Sequence, residues 1–135
     1  MLDDWKASLL FMALTMATAS ATMAPASLPL PGLAGIQTLT NREIFSLDYL
    51  PAALIIIGAG PIGIEMAQAF NRLGTAVTVV DRAAQILPKE DRDMADAVQG
   101  MLAGEGVAFR LGAAIEKVAA VGDKKVVTVS PGEGT

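Results

Sequence analysis

Residues 54–81, LIIIGAGPIGIEMAQAFNRLGTAVTVVD, constrain this chain more tightly than any other stretch. Leu54-Ile55-Ile56-Ile57 is an unbroken apolar run rich in β-branched side chains, the pattern of a strand buried on both faces. Gly58, Gly60 and Gly63 follow at G-x-G-x-x-G spacing. Helical periodicity then takes over, with Ile62, Met66, Phe70 and Leu73 on one face and Ala67 and Ala69 beside it. Gly74 is the expected stop. Val77-Thr78-Val79-Val80 reads as a second strand with Asp81 at its end. Strand, glycine turn, helix, strand and acid in that order form the βαβ fingerprint of dinucleotide binding.

Each residue type has a physical task in that pattern. Gly58 permits the tight turn out of the strand, where a side chain would clash. Gly60 lets the backbone approach a pyrophosphate, and Gly63 lets the helix pack closely on the strand. The helix then turns its free N–H groups and positive dipole end toward the phosphates. Pro61 fits the first helical turn with Ile62, because its missing N–H would have no helical partner. Asp81 stands close to the roughly 20-residue offset at which an acid accepts hydrogen bonds from a ribose. A lone glycine motif is weak evidence; strand before, helix after and acid in place make it strong.

Composition narrows the alternatives. At 135 residues the chain is one domain or part of one, and its net charge of −4 with no basic cluster excludes a nucleic-acid surface. It has neither cysteine nor histidine. No disulfide framework, thiol redox centre, Cys/His zinc site or histidine acid–base catalyst is therefore available within it. No metal site and no catalytic residue are expected.

Residues 1–24 form an apolar N-terminal segment, with no charged residue between Lys6 and Arg42. Ala7 to Ala17 resembles the apolar core of a signal peptide, with Ala19-Ser20-Ala21 as a small-residue cleavage site. Asp3 and Asp4 against the single Lys6 give the preceding region the wrong sign for export. A membrane span fits by length, but Thr15, Thr18, Ser20 and Thr22 dilute it. An apolar strand or helix packed on other protein is the preferred reading, and the expected location is cytoplasmic, with export as the minority reading.

Residues 25–51 read as a connector. PASLPLPGLAG at 25–35 is a stiff, irregular surface segment rather than a core element or ligand site. Thr40-Asn41-Arg42-Glu43 is suited to cap a short helix running through Phe45. Residues 52–135 form the main domain. Past Asp81, Arg82 to Lys89 is a loop closed by Pro88, and Glu90, Asp91 and Asp93 suit a first helical turn. Met94, Ala97, Val98, Met101 and Leu102 form the stripe expected to face the sheet. The acids from Glu90 to Asp96 read as a solvated helix face rather than a metal site. Val107 to Leu111 is a third parallel strand, and Ile115 to Val121 with Lys125 to Ser130 a hairpin turning at Gly122-Asp123-Lys124. Pro131 to Thr135 is turn chemistry with no strand after it. The fold class is α/β: a Rossmann-like βαβαβ parallel sheet with an appended antiparallel β-hairpin, expected to be truncated at its C-terminal strands.

Gly58 to Glu65, preceded by PGLAG and TNREIFSLDYLP and followed by ILPKEDRDMADAVQGMLAGEGVAF, resembles the pyridine-nucleotide-binding lobe of the FAD-dependent disulfide oxidoreductases. The resemblance is to the part of the family that holds dihydrolipoamide dehydrogenase and mercuric reductase, and it runs from about Pro29 to Val129. Upstream, Ala17-Thr18-Ala19-Ser20 resembles the element that closes the family's flavin lobe, with Ala19 where glycine is usual.

The resemblance implies roles position by position. Gly58, Gly60 and Gly63 would hold the pyrophosphate, and Asp81 the adenosine ribose. Glu65 would lie toward the nicotinamide; otherwise it is an exposed acid on the helix. Pro61 stands where some members carry a gating tyrosine, so that gate is in question here. Asp81 with Gly63 favours NAD over NADP, whereas Arg82 is a guanidinium able to accept a 2′-phosphate. Family members pass electrons through FAD, using a cysteine pair in a flavin-binding domain and a histidine in a dimerisation domain. Those parts are absent here, so the chain is expected to bind NAD(H) for hydride exchange with a flavin held elsewhere and to be inactive alone. The other readings are a stand-alone nucleotide-binding subunit or sensor, and a non-functional fragment that self-associates through an unfinished sheet edge.

Overall fold

The computed structural model describes residues 15–19, 21–25 and 28–130. Its strands are β1 (Thr15–Ala19), β2 (Ala21–Met23), β3 (Ala53–Ile57), β4 (Ala76–Val80), β5 (Ala108–Arg110), β6 (Ala114–Val121) and β7 (Lys124–Ser130). The helices are α1 (Pro61–Leu73) and α2 (Arg92–Gly104), and short 3-10 turns occupy Leu33–Gly35 and Glu43–Ser46. The apolar run at 7–14 and the closing residues 131–135 lie outside the described residues.

β3 is the axis of the molecule. A parallel sheet of order β2-β3-β4-β5 contains it, and an antiparallel sheet of order β1-β7-β6 lies over one face. The strand period of two splits the apolar run between two cores. Leu54 and Ile56 join Ile64, Ala67, Ala95 and Leu102 on the helix side. Ile55 and Ile57 join Val118, Val127 and Val129 under the antiparallel sheet. All four β3 side chains from Leu54 to Ile57 are buried, each contributing about 1.5–3 kcal/mol over an exposed position.

The α/β class, the βαβαβ order and the hairpin are as the sequence indicates. The hairpin turns at Gly122, whose φ of 63° suits the primed turns that match strand twist. Two further strands come from residues the sequence reading sets apart. β2 runs parallel to β3, with Ala21, Thr22 and Met23 opposite Leu54, Ile55 and Ile56. β1 runs antiparallel to β7. Thr15–Ala19 thus joins the antiparallel sheet and Ala21–Met23 the parallel one.

The helix faces match the expected ones only in part: Met66 and Phe70 on α1, and Val98 and Leu102 on α2, do pack on the helix-side core. On α1 the buried residues are Gly63, Ile64 and Ala67, while Ile62 and Leu73 are 49% and 65% exposed. Gly63 decides this. A Cβ there would overlap the Gly58 carbonyl oxygen and lie 3.3 Å from Ile56 Cγ2, so the helix meets β3 along its smallest residues. On α2 the buried residues are Ala95 and Leu102, with Val98 half-buried, and Met94 and Met101 face outward. Val107, whose N–H donates to Leu102 O at 3.0 Å, anchors that face of the helix end.

Loops also carry more of the core than expected. Leu28, Leu30, Leu33 and Ile36 of the connector pack against the core beneath the antiparallel sheet, and Ile86 in the β4–α2 loop is fully buried. Half of the expected cap forms: Thr40 N–H donates to Glu43 Oε2 at 2.8 Å, but the turn that follows is 3-10 rather than α and has Arg42 at its N-cap with no side-chain cap bond. The Thr40 hydroxyl and amide hold the Glu43 carboxyl below its usual range.

Thr75 ties the start of β4 to the entry of β3. Its buried hydroxyl donates to Pro51 O at 2.8 Å. Thr75→Val leaves that buried carbonyl without its donor and is expected to cost about 1–2 kcal/mol. A thermal midpoint equal to wild type would show that the bond contributes nothing.

Candidate functional site

β3 ends at a turn that three glycines shape in three ways. Gly58 has φ 116°, closed to most side chains, and its N–H donates to Val80 O at 2.9 Å, pinning the turn to β4. Gly63 brings α1 against the strand. A Cβ on Gly60 would meet no protein atom within 4 Å, so the open space above it belongs to no other part of the described chain. Gly60 caps α1 without a side-chain hydrogen bond, and Pro61 follows at the first helical position. The helix thereby offers its N-terminal N–H groups and positive dipole end, a combination suited to an anion.

Two clefts flank this turn. One, of 380 Å³, is lined by Gly58, Gly60, Pro61, Ile62, Gly63 and Asn41, among others. The second, of 310 Å³, has Asp81 and Arg82 beside Val80, Ile115, Leu28 and Pro29. Pro25, Ile57 and Gly58 line both, so the two make one groove over the carboxyl ends of the strands. From β3 the chain passes through α1 to β4 on one side, while β2 flanks the other. A groove over the carboxyl ends of parallel strands is where open α/β sheets take ligands.

Asp81 is half-buried and faces backbone amides. Its Oδ2 accepts from Ala59 N–H at 2.7 Å and its Oδ1 from Ala83 N–H at 2.9 Å. On the other side of the turn, Leu87 N–H donates to Ala59 O at 2.8 Å. The carboxylate therefore braces the glycine turn, with its remaining lone pairs at the edge of the second cleft. Arg82 is exposed on the same cleft.

Of the residues singled out in the sequence, Gly58, Gly60, Pro61, Ile62 and Gly63 come together at the first cleft. Asp81 and Arg82 meet at the second. Glu65 stands apart, exposed on α1 and lining neither. Sequence reasoning missed Asn41, the connector wall at Pro25, Leu28 and Pro29, and the backbone of Ala59 and Leu87. The alternating leucines of PASLPLPGL were the available signal for the wall. Among the described residues no His/Cys/Asp/Glu grouping suits a metal ion, and no helix is long and apolar enough to cross a membrane.

A parallel sheet of order β2-β3-β4-β5 with a glycine turn at the end of β3, covered by an antiparallel layer, is an α/β fold, and comparison with known proteins makes the class specific. The profile of the pyridine nucleotide-disulphide oxidoreductase family matches residues 2–135, and the chain belongs to that family. It is 34% identical to mercuric reductase from Bacillus cereus over 114 residues, which are 84% of this chain and 18% of that protein. It is 35% identical to dihydrolipoyl dehydrogenase 3 from Pseudomonas putida over 112 residues, 78% of this chain and 23% of that one. Among solved structures, a Cu(II) complex of a variant of the HOCl-induced flavoprotein disulfide reductase RclA from Escherichia coli superposes with a TM-score of 0.74 at 32% identity. That match covers 78% of this chain and 24% of RclA. The chain spans about a fifth of the length of the curated relatives it matches.

Proposed function

We propose that this chain is the NAD(H)-binding lobe of a FAD-dependent disulfide oxidoreductase of the dihydrolipoamide dehydrogenase type. The observation that carries the reading is the open space above Gly60, set between a turn locked at Gly58 and a helix brought in at Gly63. A pyrophosphate needs that approach to backbone, and a side chain at Gly60 would obstruct it. Asp81 lies in the cleft beside the turn, where its free lone pairs suit the adenosine ribose; the other cleft, at Pro61 and Ile62, suits the nicotinamide half.

Bound NADH would supply a hydride to a flavin held outside this chain. The chain's own residues bind and orient. Gly58, Gly60 and Gly63 fix the phosphates, the start of α1 offsets their charge, and Asp81 selects the ribose. A 2′-phosphate beside the Asp81 carboxylate would meet like charge, which favours NAD over NADP. Arg82 is the group that opposes this preference.

Titration of the purified chain with NADH and with NADPH, followed by nucleotide fluorescence, tests the reading. Saturation with a preference for NADH is expected. A preference for NADPH would assign the selective contact to Arg82 instead of Asp81. Binding of neither by folded protein would overturn the proposal.

A further inference from the structure

The loop between β4 and α2 grips the glycine turn by its backbone. Leu87 N–H donates to Ala59 O at 2.8 Å, and Asp81 Oδ2 accepts from Ala59 N–H at 2.7 Å, so this fully buried residue is held at both ends. The described residues contain no cis peptide bond. Within the Ala59–Gly60 peptide, C=O and N–H therefore point in opposite directions. Drawing the Ala59 carbonyl onto Leu87 turns the Gly60 N–H away from Leu87, and Gly60 itself lines the first cleft.

Leu87 reaches the carbonyl at φ 47°, the one non-glycine residue with positive φ among those described. An L-residue with a branched side chain resists that conformation unless its surroundings impose it. Here they do. Ile86 is fully buried beside it, and Glu90 N–H donates to Leu87 O at 2.9 Å. The Gln85 side chain spans the turn, with Nε2 donating to Glu90 O at 3.0 Å and to Leu87 O at 3.4 Å.

We propose that the turn at 85–90 aims the Gly60 N–H at a pyrophosphate oxygen, with Leu87 as the positioning residue and Gln85 as the staple that holds it. The inference rests on the dinucleotide reading above and adds to it the element that orients the donor. Neither side chain needs to touch the nucleotide.

The test follows NADH affinity and the Gly60 amide resonance in the purified chain. Leu87→Gly keeps the N–H and accepts a positive φ, so its affinity should fall much less than that of Leu87→Pro. Leu87→Pro lacks the N–H and cannot adopt φ 47°. Its affinity should fall about tenfold, the scale of one hydrogen bond to a charged group, and the NADH-induced shift of the Gly60 amide should be lost. Gln85→Leu should weaken affinity in the same direction, with a reduced Gly60 shift. If Leu87→Pro does not fold, Gln85→Leu decides alone. Wild-type affinity and an intact Gly60 shift in folded Gln85→Leu would overturn the proposal and leave the dinucleotide site standing. A loss in Leu87→Gly as large as in Leu87→Pro would also overturn it, because the side chain rather than the N–H would then matter. Failure of the wild-type chain to bind NADH would remove both readings.

Discussion

Gly63→Val is expected to destabilise the chain by about 3 kcal/mol, the upper range for overpacking a tight core contact. The added atoms would meet backbone rather than a yielding side chain, since a Cβ at this position already overlaps the Gly58 carbonyl oxygen. Gly58 cannot retreat easily, because its N–H is bonded to Val80 O at 2.9 Å and its φ is 116°. The remaining route is for α1 to lift from β3, which draws Ile64 and Ala67 out of the helix-side core. Gly63→Ala should show the same effect at smaller size. Urea unfolding measures both, and a Gly63→Val midpoint equal to wild type would show that the helix can move without cost. NADH binding should weaken along with stability, because the start of α1 leaves its place beside the turn.

Asp81→Ala is expected to weaken NADH binding by about 1.5–3 kcal/mol, the range for hydrogen bonds to a charged group. The same substitution removes the acceptor of Ala59 N–H and Ala83 N–H, so a loss of stability should accompany the loss of affinity. Asp81→Asn keeps one side-chain oxygen and separates the two effects. It should recover part of the stability while NADH affinity stays low, since the ribose contact uses the charge. Isothermal titration and chemical denaturation on the same samples would resolve them. Unchanged affinity in Asp81→Ala would mean that the carboxylate serves only the turn.

The order from β3 to β7 was legible because each element carries a strong local signal: β-branched runs, two amphipathic helices, and glycines at the turns. The faces of the helices were less so. On α2 the expected stripe of Met94, Ala97, Val98, Met101 and Leu102 straddles two adjacent rows of similar apolarity, Met94-Ala97-Met101 and Ala95-Val98-Leu102. Contact with Ile86 and Val107, distant in sequence from one another, selects the second. On α1 the bulky stripe is split: Met66 and Phe70 pack on the core, while Ile62 and Leu73 stay out because closeness to β3 at Gly63 and Ala67, rather than side-chain size, orients the helix. β1 and β2 were not foreseen as strands of these sheets, since their partners β7 and β3 lie far along the chain.

At the site, spacing alone located the glycines and Asp81, and these residues do gather around one groove. The hydrogen bonds that brace the turn were not legible. They involve the backbone of Ala59, Ala83 and Leu87, and backbone partners leave no mark on residue type. The connector was read as surface because prolines and glycines dominate it, yet its leucines alternate and reach the core.

The division of β3 between two cores also decides where the chain can accept extra length. Ala53 to Ile57 pair in continuous register with Ala76 to Val80. One residue inserted there would exchange the partners of Leu54 and Ile56 with those of Ile55 and Ile57, and would shift Gly58 from its turn. No local adjustment restores both layers at once. The exposed tip at Gly122 and Asp123 has no such coupling, because it joins only β6 to β7. A peptide tag or a fluorophore loop should therefore be tolerated at that tip.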